Sequence, residues 1–346
     1  MAKSAFQTEA LRTTLASAVK AAWWSANGAA ARALTRPTAG QQARTFTPAT
    51  EAPDPVRLRR AWMEAFLKDA ADVRAGLYPL TERAGSPTAA ARRAFDFITD
   101  ARAVDARRRR GDGTEVREES KSDAFPAYYR QNFHYQSGGW LTKDSARRYE
   151  TQVEALFAGT AGPMRRRALS LLARAWRSAD HRDRTILDLA CGSGAMLVDL
   201  KGAFPRAQVF CLDLSCAYLA EATRRSGAPG VVGFAEQLPL ADASLDAITC
   251  IFLFHELPPR LRPVIAGEIA RVLKPGGVLA LADSVQEADE PKLARFLEAF
   301  PAFFHEPFYA SYQTTDITGL FTDAGLTPLA TDKAFLTKAW SFAKPA

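Results

Sequence analysis

Two glycines and one aspartate are the residues whose types and spacing point most directly to chemistry. Gly192 and Gly194 follow an apolar run, 185–190, and precede a helical pattern that begins near Ala195. Glycine permits the tight turn at such a junction and lets a ligand approach the backbone closely. Asp213 lies 21 residues after Gly192 and closes a second apolar run. A carboxylate there can accept hydrogen bonds from both hydroxyls of a ribose, so the arrangement indicates a nucleoside-containing cofactor.

The residues around this turn narrow the class of cofactor. A dinucleotide-binding turn carries a third glycine where this sequence has Leu197, which argues against NAD and FAD. The Gly-Lys-Ser or Gly-Lys-Thr of a triphosphate-binding loop does not follow. Asp188, just before the turn, would repel a pyrophosphate and attract an ammonium or sulfonium group. The turn therefore favours a positively charged nucleoside.

Several short segments, taken together and in order, resemble the class I S-adenosylmethionine-dependent methyltransferases. The resemblance is to the small-molecule branch that includes quinone-biosynthesis enzymes. It spans about residues 160–346 and rests on LDLACGSG (187–194), LDLS (212–215), AEQLP (235–239) with SLD (244–246), FHEL (254–257) and RVLKPGG (271–277). Each segment alone is weak, but all of them in family order and spacing are specific. The resemblance implies a Rossmann-like sheet of seven strands, S-adenosyl-L-methionine as cofactor, and methyl transfer.

The resemblance also implies which residues contact the cofactor. Asp188 would hold its methionine part, Asp213 its ribose, and Leu214 would pack against adenine. The residue before Ala235 is commonly Asp in this family, whereas this sequence has Phe234, so either Phe234 only packs or Glu236 replaces the missing acceptor. The full set of expected cofactor residues is Asp188, Ala190, Gly192, Gly194, Asp213, Leu214, Ala235, Glu236 and Phe254.

Candidate catalytic residues follow from what methyl transfer requires. The acceptor must be aligned and water excluded, and a general base helps when the acceptor is a hydroxyl or phenol. His255 is the first candidate, because imidazole titrates near neutrality and the end of the fourth strand faces the active-site crevice. A histidine that only orients the following loop is an equally good interpretation. Tyr129 and His134 are further candidates because they belong to an aromatic segment, 126–141.

Two aromatic regions have two interpretations each. Segment 126–141 is either a lid that covers the cofactor and lines the acceptor site, or plain packing of the N-terminal part onto the core. The residues from Phe300 to Tyr312 are ordinary core in the preferred interpretation and the wall of an apolar pocket in the alternative.

Histidine and cysteine spacing predicts neither a metal site nor disulfides. The four histidines lack the H-x-x-x-H and H-x-H patterns, and the four cysteines contain no C-x-x-C. We interpret the cysteines as reduced thiols in the core of an intracellular protein.

The remaining patterns set the architecture around this site. Apolar runs alternate with helical patterns, which predicts a parallel, doubly wound α/β sheet. The runs are 185–190, 207–212, 230–234, 246–253 and 277–282. We place a methyltransferase domain at 121–346 and a helical extension at 51–120. This extension ends in a charged linker, because the four arginines at 107–110 are followed closely by acids.

The first 50 residues form an Ala- and Arg-rich segment with two interpretations. Six basic residues against one acid are typical of an organellar transit peptide. An amphipathic helix is the preferred alternative, because Leu11, Leu15, Val19 and Trp23 recur every four residues. A helix fits a cytoplasmic protein, and a transit peptide would place the chain in an organelle.

Composition excludes some function classes. A net charge of +7 over 346 residues, without a clustered basic stripe, argues against nucleic acid as a partner. The longest stretch without a charged side chain is 12 residues, too short to span a membrane, although contact with a membrane surface stays open. We expect methyl transfer to a hydrophobic, aromatic or prenyl-like small molecule. The alternatives are a non-catalytic scaffold or assembly factor with this fold and, less favoured, a macromolecule methyltransferase. The sequence leaves the oligomeric state open.

Overall fold

A single seven-stranded sheet organises the chain. The computed structural model describes residues 19, 21–30, 33, 47–81, 87–119 and 125–346. The strand order is β3-β2-β1-β4-β5-β7-β6, with β1 to β5 parallel and β7 antiparallel to both of its neighbours. The strands are β1 (Thr185–Leu189), β2 (Gln208–Asp213), β3 (Gly230–Val232), β4 (Leu245–Ile251), β5 (Leu273–Ser284), β6 (Thr327–Ala334) and β7 (Thr337–Ala343). This arrangement confirms the predicted doubly wound α/β fold.

Helices cover both faces of the sheet and extend beyond it on the N-terminal side. They are α1 (Pro55–Arg74), α2 (Pro87–Arg110), α3 (Glu115–Glu119), α4 (Lys143–Leu156), α5 (Ala161–Ala175), α6 (Ala195–Ala203), α7 (Cys216–Ser226), α8 (Leu261–Val272), α9 (Ala294–Phe303), α10 (Tyr309–Tyr312) and α11 (Ile317–Asp323). Short 3₁₀ turns lie at Phe133–Tyr135, Phe254–Glu256 and Pro291–Leu293. Residues of α5, α6 and α7 belong to one buried apolar cluster, and residues of α8 and α11 to the other.

Burial on both faces explains why the central strands are almost continuously apolar. Leu187 and Leu189 contribute to one cluster, Ile186 contributes to the other, and all three are fully buried. A parallel strand covered by helices on both faces must bury both sets of side chains. The parallel register, with Leu189 opposite Leu212 and Cys250, brings the carboxyl ends of β1, β2 and β4 to the same edge. The turns that follow these three strands build the candidate site.

Buried ion pairs tie the N-terminal helix α1 to the sheet domain. Arg166 of α5 binds Asp69 of α1 through two hydrogen bonds, Nε to Oδ1 at 2.8 Å and Nη2 to Oδ2 at 2.7 Å. Arg167 lies 2.9 Å from Asp72 and donates to the hydroxyl of Tyr78. All of these side chains are nearly inaccessible to solvent, so α1 is packed as part of the core.

The arginine run at 107–110 differs from the expected charged linker. It forms the last turn of α2, where Arg107 is paired with Glu115 and donates to Ser137. Arg108 lies over the ring of Phe304, 5.5 Å from its centroid. Through these contacts, Arg107 and Arg108 hold the end of α2 against the rest of the domain. The proposed boundary at 120 lies outside the described residues, and so do residues 1–18 of the N-terminal segment; residues 21–30 are helical.

The cysteines agree with the sequence interpretation in part. Cys191, Cys211 and Cys250 are buried free thiols. Cys216 is also free but exposed, because it starts helix α7 on the side that faces away from the sheet. Among the described residues, no helix combines the length and the apolar character that crossing a bilayer would require.

Candidate active site

The turn after β1 and the acid at the end of β2 form one hydrogen-bonded unit. Asp213 accepts from the backbone N–H of Gly192 through Oδ2 and from that of Ser215 through Oδ1, each at 2.8 Å. Burial raises the pKa of Asp213 to about 6, against the lowering effect of these backbone hydrogen bonds. The carboxylate is therefore fixed in orientation at the mouth of the glycine turn.

A cavity of about 110 Å³ opens beside this carboxylate, and we call it the Asp213 cavity. Seven residues that the sequence singled out line it: Tyr129, Ala190, Gly192, Asp213, Leu214, Ala235 and Glu236. The hydroxyl of Tyr128 donates to Glu236 at 2.9 Å and closes the end of the cavity beside Ala235. The structure thus brings most of the expected cofactor residues around one space.

The two glycines of the turn serve different purposes. A Cβ at Gly192 would meet nothing closer than Tyr149 at 3.9 Å, so a longer side chain there would project into the Asp213 cavity. A Cβ at Gly194 would lie 2.6 Å from Cα of Ala222 in α7. Both have positive φ, +53° and +80°. Gly192 therefore leaves room for a ligand, whereas Gly194 permits close packing of α6 against α7 and does not line the cavity.

Asp188 lies below the turn rather than in the cavity wall. Its Oδ1 accepts from the hydroxyl of Thr249 at 2.7 Å, while its Oδ2 is buried without a hydrogen-bond partner. Burial raises the pKa of Asp188 to about 7. A buried carboxylate oxygen with no partner is a candidate for a cationic group that reaches it from the turn.

Phe254 is not in the position that the sequence analysis expected. Phe254 is fully buried in the core against Phe321, with ring centroids 5.4 Å apart, and so does not face the Asp213 cavity. Its neighbours Phe252 and Leu253 line that cavity instead, and Phe252 adopts a positive φ of +58°. Phe234 is partly exposed and absent from the cavity wall. The sequence pattern locates the end of a strand but does not determine which side chain turns inward.

A second cavity of about 260 Å³ adjoins the first, and we call it the His255 cavity. Its wall is mostly apolar and combines the methyltransferase-like half with the N-terminal helix α2, through Phe97 and Val104. The aromatic residues Phe300, Phe304 and Tyr309 complete it. These three residues therefore form a pocket wall, which was the alternative interpretation of the 300–312 region.

His255 faces this cavity from the turn after β4. Its Nδ1 lies 2.5 Å from Oδ1 of Asp283, the carboxylate at the end of β5. Burial alone would lower the pKa of His255, but Asp283 offsets this and the net effect raises it to about 9. Asp283 also accepts from the backbone N–H of Phe254 at 2.8 Å. The pair thus orients the imidazole toward the cavity and anchors the turn. The expectation that this imidazole titrates near neutrality is wrong, because the carboxylate of Asp283 stabilises its protonated form.

The two cavities share a wall. Tyr149, Phe252 and Glu256 line both of them. Glu256 therefore faces both cavities. Burial raises its pKa to about 8. A ligand in the Asp213 cavity and one in the His255 cavity would meet at this wall.

The aromatic segment 126–141 covers the site and is also firmly packed. Trp140 lines the Asp213 cavity and makes edge-to-face contacts with Tyr149 and Tyr218, with centroids 5.1 and 5.3 Å apart. His134 lines the His255 cavity, whereas Tyr129 lines the Asp213 cavity. The two candidate residues of this segment thus lie on different sides of the shared wall.

Sequence reasoning missed several residues of the site. Asp283 and Glu306 are buried carboxylates beside His255 and His134, and Tyr149 belongs to the shared wall. An acid that ends an apolar strand, as Asp283 does, could have been noticed by the same logic that selected Asp213. Glu306 and Tyr149 carry no such signal, because each lies in a segment that reads as helix or loop.

Comparison with known proteins agrees with this geometry. Residues 187–281 match the family model described as a methyltransferase domain. This part of the chain is therefore a methyltransferase domain. The match begins within β1 and ends within β5, and it includes the glycine turn, Asp213 and the His255 turn.

Curated relatives share this methyltransferase domain rather than the whole chain. The demethylmenaquinone methyltransferase of Deinococcus radiodurans is 34% identical over 37% of this chain and 58% of its own length. That of Beutenbergia cavernae is 36% identical over 48% of this chain and 63% of its own. The malonyl-[acyl-carrier protein] O-methyltransferase of Xylella fastidiosa is 37% identical over 29% of this chain and 35% of its own. The chain thus spans about three fifths of the length of the first two.

Proposed function

We propose that this protein transfers a methyl group from S-adenosyl-L-methionine to an apolar small molecule, aromatic or prenyl-like, bound in the His255 cavity. The observation that carries the proposal is the wall of Tyr149, Phe252 and Glu256 that the two cavities share. An acceptor on one side and a cofactor on the other would be neighbours there, and displacement at carbon needs that proximity above all.

The residues of the Asp213 cavity fit this cofactor. Asp213 presents a fixed carboxylate to a ribose, and the missing side chain of Gly192 leaves the space that a ligand would fill. The unpartnered Oδ2 of Asp188 suits an ammonium group. When bound, the cofactor supplies an activated methyl group on a sulfonium. The protein's own task is to align the acceptor and keep water out.

The His255 cavity indicates the kind of acceptor. Its apolar wall favours a hydrophobic body, and its polar end carries His134, His255 and Glu256. With Nδ1 held by Asp283, Nε2 of His255 is the ring atom left to meet an acceptor hydroxyl. With a pKa of about 9, it donates a hydrogen bond at neutral pH and accepts the proton only at higher pH. Two of the relatives named above are demethylmenaquinone methyltransferases, which is consistent with an apolar, aromatic acceptor.

The test has two stages. Calorimetric titration with S-adenosylmethionine and S-adenosylhomocysteine should show binding of both ligands, and both should raise the melting temperature. Mass spectrometry of metabolites from cells with and without the gene should then find a compound heavier by one methylene only when the gene is present. A chain that binds neither ligand would instead support the scaffold alternative.

The catalytic part of the proposal needs a separate variant. His255→Gln should bind S-adenosylhomocysteine as the wild type does but lose about 10²- to 10⁴-fold in kcat, the usual worth of a positioned acid or base. An unchanged kcat would leave His255 with only the anchoring role.

A further inference from the structure

Three side chains from separate parts of the chain converge beside the His255 cavity, which two of them, His134 and Glu256, line. His134 comes from the aromatic segment, Glu256 from the turn after β4, and Glu306 from the loop after α9. Nε2 of His134 lies 3.2 Å from Oε1 of Glu306 and 3.9 Å from Oε1 of Glu256. One ligand atom from each residue lies within 4.8 Å of the others.

Glu306 is the member of this cluster that the protein leaves unsatisfied. Its side chain is fully inaccessible, at 0% exposure, and both carboxylate oxygens are buried without a hydrogen-bond partner. His134 is close enough, but the geometry of a hydrogen bond is not met. A buried carboxylate is costly unless a hydrogen-bond donor or a cation compensates it, so Glu306 has room for one more partner.

The neighbouring charges do not supply that partner. The other acids near Glu306 are Glu256 and Asp283, which add negative charge, and His255 is already bound to Asp283. Arg262 lies in the same region but donates to the backbone oxygens of Phe254, Leu257 and Phe308. The cluster therefore combines buried acids with an open position for a ligand.

We propose that His134, Glu256 and Glu306 bind one divalent transition-metal cation at the boundary of the two cavities. Bonds of about 2.1 Å to nitrogen and oxygen ligands correspond to ligand–ligand separations of roughly 3.0–3.5 Å. The distance of 3.2 Å between His134 and Glu306 falls in this range, whereas the distance of 3.9 Å between His134 and Glu256 would have to shorten on metal binding. One imidazole with two carboxylates suits Zn²⁺ or Mn²⁺ better than Mg²⁺, which prefers oxygen ligands alone.

This proposal departs from the sequence-based expectation of no metal. Motif spacing detects ligands on one helix or one loop, whereas these three residues are brought together only by the fold. Three protein ligands leave a coordination position open toward the His255 cavity, as in catalytic rather than structural sites. An acceptor oxygen would take that position; this last step rests on the proposed function, whereas metal binding itself does not.

The experiment uses the untagged full chain after dialysis against a chelator. Titration with Zn²⁺ and elemental analysis should give one zinc per chain. Glu306→Gln should weaken zinc binding by more than about 100-fold, beyond the change usual for residues outside the ligand shell. His134→Asn should do the same, and Asn tolerates the positive φ of +55° at this position. Glu64→Gln, at an exposed side chain on α1, is the matched control and should bind zinc as the wild type does.

X-ray absorption spectroscopy at the zinc edge, on the wild-type protein, identifies the atoms bound to zinc even where a variant fails to fold. Nitrogen and oxygen neighbours near 2.0–2.1 Å with no sulfur would support the site, whereas a sulfur neighbour near 2.3 Å would assign the zinc to cysteine and overturn it. Zinc far below one per chain, or binding unchanged in Glu306→Gln, would also overturn it. Binding of S-adenosylhomocysteine to the metal-free chain is measured in parallel, so a failure here is distinguishable from a failure of the proposed function.

Discussion

The carboxylate of Asp213 accepts a hydrogen bond from the backbone N–H of Gly192 at 2.8 Å. The acid at the end of β2 thus fixes the turn that follows the neighbouring strand β1. The second oxygen does the same for Ser215 at the start of α7. This single side chain thus holds two loops in place while remaining in the wall of the Asp213 cavity. Its dual role makes it the most informative position for mutation.

Replacing Asp213 by alanine should weaken binding of S-adenosylhomocysteine. The charge-assisted hydrogen bonds to a ribose are worth about 1.5–3 kcal/mol, roughly 10- to 150-fold in affinity. Calorimetric titration measures the effect, with Asp144→Ala, at a highly exposed side chain, as control. Equal affinities in the variant and the wild type would remove Asp213 from the ribose site.

The two glycines of the turn should respond in opposite ways to substitution. Gly192→Leu projects a side chain into the Asp213 cavity and should abolish cofactor binding at a cost in stability of only about 1–2 kcal/mol, from the positive φ. Gly194→Ala places its Cβ against Ala222, and this overpacking should lower the free energy of unfolding by about 1–3 kcal/mol. The positive φ of Gly194 should lower it by a further ~1–2 kcal/mol. Thermal melting and titration of both variants separate these effects. Loss of binding in folded Gly194→Ala together with normal binding in Gly192→Leu would contradict the assignment.

Asp188 should make stability depend on pH in the direction opposite to that of an ion-paired acid. Its folded-state pKa of about 7 lies above the usual value of 3.8, so the folded chain holds this proton more tightly. This group therefore favours folding at low pH, and its contribution is lost as pH rises toward and through 7. Asp188→Asn keeps an acceptor for Thr249 and removes the buried charge. Its melting temperature should exceed that of the wild type at pH 8, and the gap should narrow by pH 5.5.

The same variant should lose cofactor affinity at pH 8, where the wild-type carboxylate is ionised and can meet an ammonium group. Calorimetric titration at pH 8 and at pH 5.5 checks this, because the cofactor affinities of the two proteins should converge at the lower pH.

For the stability prediction, a difference in melting temperature that stays constant from pH 5.5 to pH 8 would mean that Asp188 does not titrate in this range.

Breaking the link between α1 and the sheet domain should destabilise the whole chain. Asp69→Ala leaves Arg166 and Arg167 buried without their shared carboxylate, and removal of one partner from such a cluster costs about 3–5 kcal/mol. Denaturant unfolding measures the loss. Glu64→Ala, on the same helix but exposed, should change stability by less than 0.5 kcal/mol or so. Equal effects of the two variants would show that the buried pair contributes nothing particular.

Local patterns were sufficient to predict the sheet and the glycine turn. The apolar runs placed β1, β2 and β4 within two residues of their observed bounds, because a strand buried on both faces has a composition that few other elements share. Asp213 was identifiable for the same reason, as the first acid after such a run. The arginines at 107–110 show where a local pattern misleads: their charge indicated solvent, yet helix α2 brings Arg107 to Glu115 and Arg108 to Phe304.

The sequence by itself determined the strands of the parallel sheet, the turn that leaves space for a ligand, and the acid that faces this turn. Each of these depends on residues close together in the chain. The tertiary structure alone decided which side chains share a cavity. Phe252, which adopts a positive φ, lines the cavities rather than Phe254. His134, Glu256 and Glu306 meet although more than 100 residues separate the first two. Proximity of that kind is produced by packing the aromatic segment and α9 over the ends of the strands, and no spacing rule along the chain records it.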